Sequence, residues 1–72
     1  MSVSILTDRI GERVKALRER AKFSGNALAK EAGVSQSYLW EIENGQTEPS
    51  ISSLEKIAKA LGVSLKALIP ND

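Results

Sequence analysis

The 72-residue sequence predicts an all-α domain of five short helices, and three observations carry that prediction. An apolar residue, a serine and then a leucine four positions after the serine recur as Phe23-Ser24 with Leu28, Val34-Ser35 with Leu39, Pro49-Ser50 with Leu54 and Val63-Ser64 with Leu68. Glycine stands at the expected ends of three of the segments so begun, at Gly33, Gly45 and Gly62. No stretch alternates apolar and polar residues with the period of two that a strand requires.

The first helix precedes these starts. Ile10, Val14, Leu17 and Ala21 recur at i, i+4, i+7 and i+11, with Arg9, Glu12, Arg13 and Arg20 among the positions between. Residues 1 to 6 and 70 to 72 are expected to be loosely held ends, with Ile5 and Leu6 able to pack under the first helix. Each of the four recurring serines fits an N-cap whose hydroxyl accepts from an orphan amide, and the apolar residues on either side form a hydrophobic staple. Helices 2, 3, 4 and 5 therefore start after Ser24, Ser35, Ser50 and Ser64, and helix 4 carries an apolar stripe of Ile51, Leu54, Ile57, Ala58 and Leu61. The shared unit is a cap, and the faces between caps differ, so a solenoid repeat is not expected.

The length suits one compact domain spanning residues 1 to 72, in a size range where burial leaves a small stability margin. Cysteine and histidine are both absent, which excludes disulfides, zinc sites of the Cys/His kind and histidine-based triads. No enzymatic activity and no cofactor is expected. No apolar run approaches the ~18 residues of a membrane span, and the amino terminus lacks the pattern of a signal peptide. A cytoplasmic protein without a membrane partner is the expectation. The formal net charge of +1 says little about a partner, so the distribution of charge matters more than its sum.

Residues 24 to 44 hold the main clue to function. Ala29 is small enough for two helices to approach closely, Gly33 can take the positive φ of a sharp helix exit, and Leu28, Leu39 and Ile42 supply inner-face contacts. The outer face of the second helix is then available to a DNA groove.

Gly11-Glu12-Arg13-Val14-Lys15-Ala16-Leu17-Arg18, Leu28-Ala29, Gly33-Val34-Ser35, Ser37-Tyr38-Leu39, Ile42-Glu43-Asn44-Gly45, Pro49-Ser50 and Leu54-Glu55-Lys56-Ile57-Ala58 together resemble the Cro and phage-repressor type (XRE) of helix-turn-helix domain. The resemblance covers about residues 8 to 69 in order and spacing. It implies a compact five-helix, lambda-repressor-like fold that binds double-stranded DNA as a transcriptional regulator, usually as a homodimer on a two-fold symmetric operator. In such domains the second helix of the motif lies in the major groove, and half-sites stand about one helical turn apart.

Position by position, the resemblance places Gln36, Ser37 and Glu41 among the base-contacting positions of the recognition helix. A glutamine amide can pair with N7 and N6 of adenine, serine bonds several bases with less discrimination, and a glutamate can accept from N4 of cytosine. A polar first turn on an exposed helix is the plainer account of Gln36 and Ser37. Trp40 follows Leu39 and so points about 100° from the core stripe. It is expected on the DNA side, against a thymine methyl or sugar, or as an anchor for a partner protein. Arg18 and Glu43 match positions that form a structural ion pair in similar domains.

The chain also departs from the pattern. Between Glu31 and Glu55 no lysine or arginine occurs, whereas Glu31, Glu41, Glu43, Glu48 and Glu55 are acidic. Similar proteins often carry a basic residue where this chain reads Gln46-Thr47-Glu48 and a glutamine where it has Gly25. Phosphate contacts are therefore expected from amides at helix amino ends near Gly25, Gln36 and Ile51, with Ser24, Asn44, Gln46 and Thr47 assisting and Lys22 and Lys30 nearest among the cations. A solvated helix face is the plainer account of most basic residues, six of which fall between Arg9 and Lys22.

Leu65, Leu68, Ile69 and Pro70 are candidates for a homodimer contact, with packing onto the chain's own domain as the alternative for Leu65 and Leu68. A protein-interaction module on the same scaffold, or an antitoxin or controller protein combining a regulatory protein partner with DNA autoregulation, competes with the repressor reading.

Overall fold

Serine caps begin three helices where the recurring pattern places them. Ser24 Oγ accepts from the Ala27 amide at 3.1 Å, Ser35 Oγ from Tyr38 at 3.0 Å and Ser50 Oγ from Ser53 at 3.1 Å. The computed structural model describes residues 2–69, with side chains from Arg9 to Ile69. Its helices are α1 (Ser2–Arg20), α2 (Gly25–Ala32), α3 (Gln36–Glu43) and α4 (Ile51–Leu61), followed by a short 3-10 turn at Leu65–Leu68. No strand occurs among the described residues.

One sequence expectation is corrected here. The fifth helix is a single 3-10 turn, in which the Ala67 amide bonds the Ser64 carbonyl at 3.0 Å, and the Ser64 side chain makes no cap bond. The Ala67 amide, three residues on and the donor a serine cap normally satisfies, is taken by this 3-10 bond instead. At the other end, the backbone of Ser2 to Leu6 continues α1, and the side chains of Ile5 and Leu6 lie outside those described. The expected carboxyl-terminal end, residues 70 to 72, lies outside the described residues.

Each α-helix closes with the same pair of backbone bonds. In α2 the Gly33 amide reaches Lys30 O (3.2 Å) and the Val34 amide reaches Ala29 O (3.0 Å), which is the Schellman pattern around a left-handed residue. Gly45 (φ 69°) and Gly62 (φ 75°) do the same for α3 and α4. At the end of α1 the left-handed position is held by Lys22, with φ 63°. An L-residue with a Cβ costs roughly 1–2 kcal/mol in that conformation, only partly offset by glycine's larger unfolded-state entropy. Lys22→Gly is therefore expected to stabilise the domain by about 0.5 kcal/mol and raise the melting temperature by about 3 °C in a thermal melt followed by circular dichroism.

The staples converge on one core. Leu28, Leu39, Leu54 and Leu68, each the fourth residue after its serine, are all buried, together with Ile10, Val14, Ile42 and Ile57. Phe23, Val34 and Val63 pack against this cluster from the serine side, and Pro49 is buried. Helix α1 packs on α3, α2 packs on both α3 and α4, and the 3-10 turn lies against α4 and α1. Ala21 and Ile51 leave the stripes assigned to them: Ala21 is exposed just beyond α1, and Ile51 is 59% exposed on the first turn of α4.

Candidate nucleic-acid interface

Helix α3 has two faces of different composition. Leu39 and Ile42 point inward and are buried, while Gln36, Ser37, Trp40 and Glu41 are exposed and together line one shallow, open depression. At about 100° per residue, Ser37, Trp40 and Glu41 lie roughly opposite the bisector of Leu39 and Ile42. The four side chains singled out for base contact are thus neighbours on one surface.

That surface is held from behind at both ends of the helix. At the carboxyl end, Arg18 of α1 forms a bidentate pair with Glu43, Nε to Oε2 at 2.7 Å and Nη2 to Oε1 at 3.0 Å, while Nη1 donates to the Phe23 carbonyl at 3.0 Å. The side chains are 14% and 8% exposed, so the pair sits largely out of water. Hydrogen bonding to Glu43 raises the Arg18 pKa above its ordinary value, and burial opposes the shift. One guanidinium therefore ties the end of α3 to α1 and to the turn that leads into α2.

Tyr38 fixes the other side. Its hydroxyl bonds Ser53 Oγ at 3.1 Å, and Ser53 Oγ in turn accepts from Ser50 Oγ at 2.9 Å, which joins α3 to the first turn of α4. Sequence reading assigned no role to Tyr38 or Ser53, because the bond spans two helices whose approach is set by the core. Gly11 was missed for a related reason. It is buried in mid-helix, and a Cβ on it would be driven into the Ile42 carbonyl oxygen and stand 3.0 Å from that of Glu43. A glycine inside a helical pattern is the sequence signal of such a close approach.

Three of the positions considered for phosphate contact hydrogen-bond within their own turns. Ser24 Oγ is an acceptor for Ala27, which leaves its own O–H to donate. Asn44 Nδ2 donates to the Trp40 carbonyl at 2.9 Å, and Gln46 Nε2 to the Asn44 carbonyl at 3.3 Å, so both amides brace the turn after α3. Gly25 and Thr47 are half-buried, and Lys22 and Lys30 are exposed.

The carboxyl-terminal dimer candidates divide. Leu68 is fully buried and belongs to the domain's own core, which removes it as an intersubunit contact. Leu65 and Ile69 are half-buried and pack against that core, and Pro70 lies outside the described residues. Among the described residues no group of three or more His, Cys, Asp or Glu is placed to hold a metal ion, and no helix is long and apolar enough to cross a membrane.

Comparison with known proteins agrees with this geometry. A helix-turn-helix family model matches residues 14–68. The chain is 42% identical over 60 residues to the immunity repressor protein of Bacillus phage phi105, covering 83% of this chain and 42% of that protein. It is 48% identical over 61 residues to the HTH-type transcriptional regulator SinR of Bacillus subtilis (strain 168), covering 83% of this chain and 55% of SinR. The chain thus spans about half the length of these curated relatives. The crystal structure of the restriction-modification controller protein C.AhdI from Aeromonas hydrophila matches with a TM-score of 0.86 and 30% identity, over 88% of this chain and 96% of that one. SinR solved in complex with DNA matches with a TM-score of 0.77 and 48% identity, over 82% of this chain and 95% of that one. SinR in its complex with SinI gives the same TM-score and identity, over 82% of this chain and 58% of that one. With its core, its capped helix pair and three-quarters of its length matched, this chain belongs to the helix-turn-helix family of the Cro and phage-repressor type.

Proposed function

We propose that this chain is a cytoplasmic transcriptional regulator that binds double-stranded DNA, most simply a repressor occupying a two-fold symmetric operator as a homodimer. The observation that carries the reading is the outer face of α3, where Gln36, Ser37, Trp40 and Glu41 share one exposed depression on a helix braced by Arg18–Glu43 and Tyr38–Ser53. A helix so presented matches the width of the major groove. SinR, 48% identical over the shared region, has been solved on DNA.

In this reading Gln36 pairs with adenine, Ser37 bonds a neighbouring base and Glu41 accepts from cytosine N4 or repels wrong sequences. Backbone amides at the starts of α2 and α4 hold phosphates together with the Ser24 hydroxyl, a mode that needs no side-chain cation. A homodimer brings two recognition helices to the operator, and Leu65 and Ile69 remain its candidate contacts. A regulatory protein partner is a second reading, favoured by the purely acidic stretch from Glu31 to Glu55 and by the SinR–SinI complex.

Selection from a random duplex library at moderate salt tests the proposal. Recovery of a two-fold symmetric motif is the expected outcome, with Gln36→Ala losing about tenfold to a hundredfold in affinity and discrimination at one base pair per half-site. Because no cation lies between Glu31 and Glu55, the salt dependence should be shallow, and Glu48→Arg should strengthen binding and steepen the slope of log K against log salt by about one per protomer. Failure to recover any duplex, even at low salt, eliminates direct DNA binding.

A further inference from the structure

Trp40 is the chain's one tryptophan and is 59% exposed; with Ile51 it makes up the exposed large hydrophobic side chains among the described residues. Its backbone is nevertheless held firmly: the Trp40 carbonyl accepts from the Asn44 amide at 3.0 Å and from Asn44 Nδ2 at 2.9 Å. An indole on a firmly held backbone therefore stands on the outer face of α3, at the depression that it shares with Gln36, Ser37 and Glu41.

We propose that Trp40 reads the C5 methyl group of a thymine, an assignment that rests on the DNA-binding reading above. In the major groove every base presents donors and acceptors, and the thymine methyl is the apolar group on the floor. An indole laid on donors and acceptors strips water from them without returning a bond, whereas contact with a methyl removes apolar area from water on both partners. The sequence position follows from helix geometry. Trp40 stands four residues beyond Gln36, a rise of about 6 Å, and base pairs are spaced about 3.4 Å apart. The thymine read by Trp40 thus falls one or two base pairs from the adenine paired with Gln36. With Gln36 reading adenine, this makes the half-site rich in A·T pairs where α3 enters the groove.

Deoxyuridine tests the methyl alone, since it keeps every hydrogen-bonding group of thymine. Each thymine of the selected operator is replaced in turn, and affinities are measured for the wild-type protein and for Trp40→Ala, whose side chain is exposed enough for the fold to survive its removal. At one position in each half-site the wild type should lose about fourfold for the missing methyl, and Trp40→Ala should be indifferent to the same replacement. Tryptophan emission gives an independent readout, because Trp40 is its single source. It should shift on binding the thymine operator. Equal wild-type affinity for every uridine-substituted duplex, or unchanged emission in a tight complex, overturns the thymine assignment while leaving DNA binding intact. Absence of binding to any duplex overturns the DNA reading and the assignment with it.

Discussion

Arg18→Met should lower the melting temperature by about 15 °C. The substitution keeps the apolar stem but leaves the Glu43 carboxylate, 8% exposed, without its two charge-assisted bonds of 2.7 and 3.0 Å. Breaking one partner of a buried pair costs about 3–5 kcal/mol, and the partial exposure of this pair places the expected loss near 3 kcal/mol. For a domain of this size 1 kcal/mol corresponds to about 4–8 °C. The Phe23 carbonyl loses its donor as well, so the turn between α1 and α2 loosens together with the end of α3. The double variant Arg18→Met, Glu43→Leu should recover most of the loss, because it removes both charges from the buried site at once. If the double variant melts no higher than Arg18→Met alone, the damage comes from packing and not from a stranded charge. DNA affinity should fall in the single variant and return with stability, since neither residue faces the groove.

The second large effect is expected at Gly11. Helix propensity alone favours alanine over glycine in mid-helix by about 1 kcal/mol. Here the sign reverses, because the new Cβ meets the Ile42 carbonyl oxygen and stands 3.0 Å from the Glu43 carbonyl oxygen. Both are main-chain atoms at the end of α3, and the Ile42 oxygen also accepts the Gly45 amide that closes the helix. The backbones must separate, at an overpacking cost of about 3 kcal/mol, so a net loss of about 2 kcal/mol and about 10 °C is expected for Gly11→Ala. A melting temperature equal to or above that of the wild type would show that α1 and α3 do not approach as closely as described. The two predictions concern one joint. Gly11 lets α1 reach the end of α3, and Arg18, two turns further along α1, clamps Glu43 there.

Much of this architecture is legible in the chain because it is encoded locally. A serine cap, its staple and a glycine exit act over five or six neighbouring residues, so their spacing marks α2, α3 and α4 without reference to the rest of the fold. The outward placement of Gln36, Ser37, Trp40 and Glu41 is equally local, since it follows from helical periodicity once Leu39 and Ile42 are recognised as the inner face. The fifth start carries the same local pattern yet yields a 3-10 turn. Leu68 is drawn fully into the core there, and the four-residue segment ends before a second turn can form.

The remaining features depend on which surfaces meet. Ile51 continues the apolar stripe of α4 and is nonetheless 59% exposed, although Tyr38 of α3 reaches Ser53 on the same first turn. Tyr38 finds Ser53 fifteen residues away, which no local pattern announces, and Gly11 signals a close approach without indicating that its partners are carbonyls more than thirty residues along the chain. Periodicity and capping act within a turn or two of helix and can be read from adjacent residues, whereas distance between helices is set by the summed volumes of side chains from every element at once.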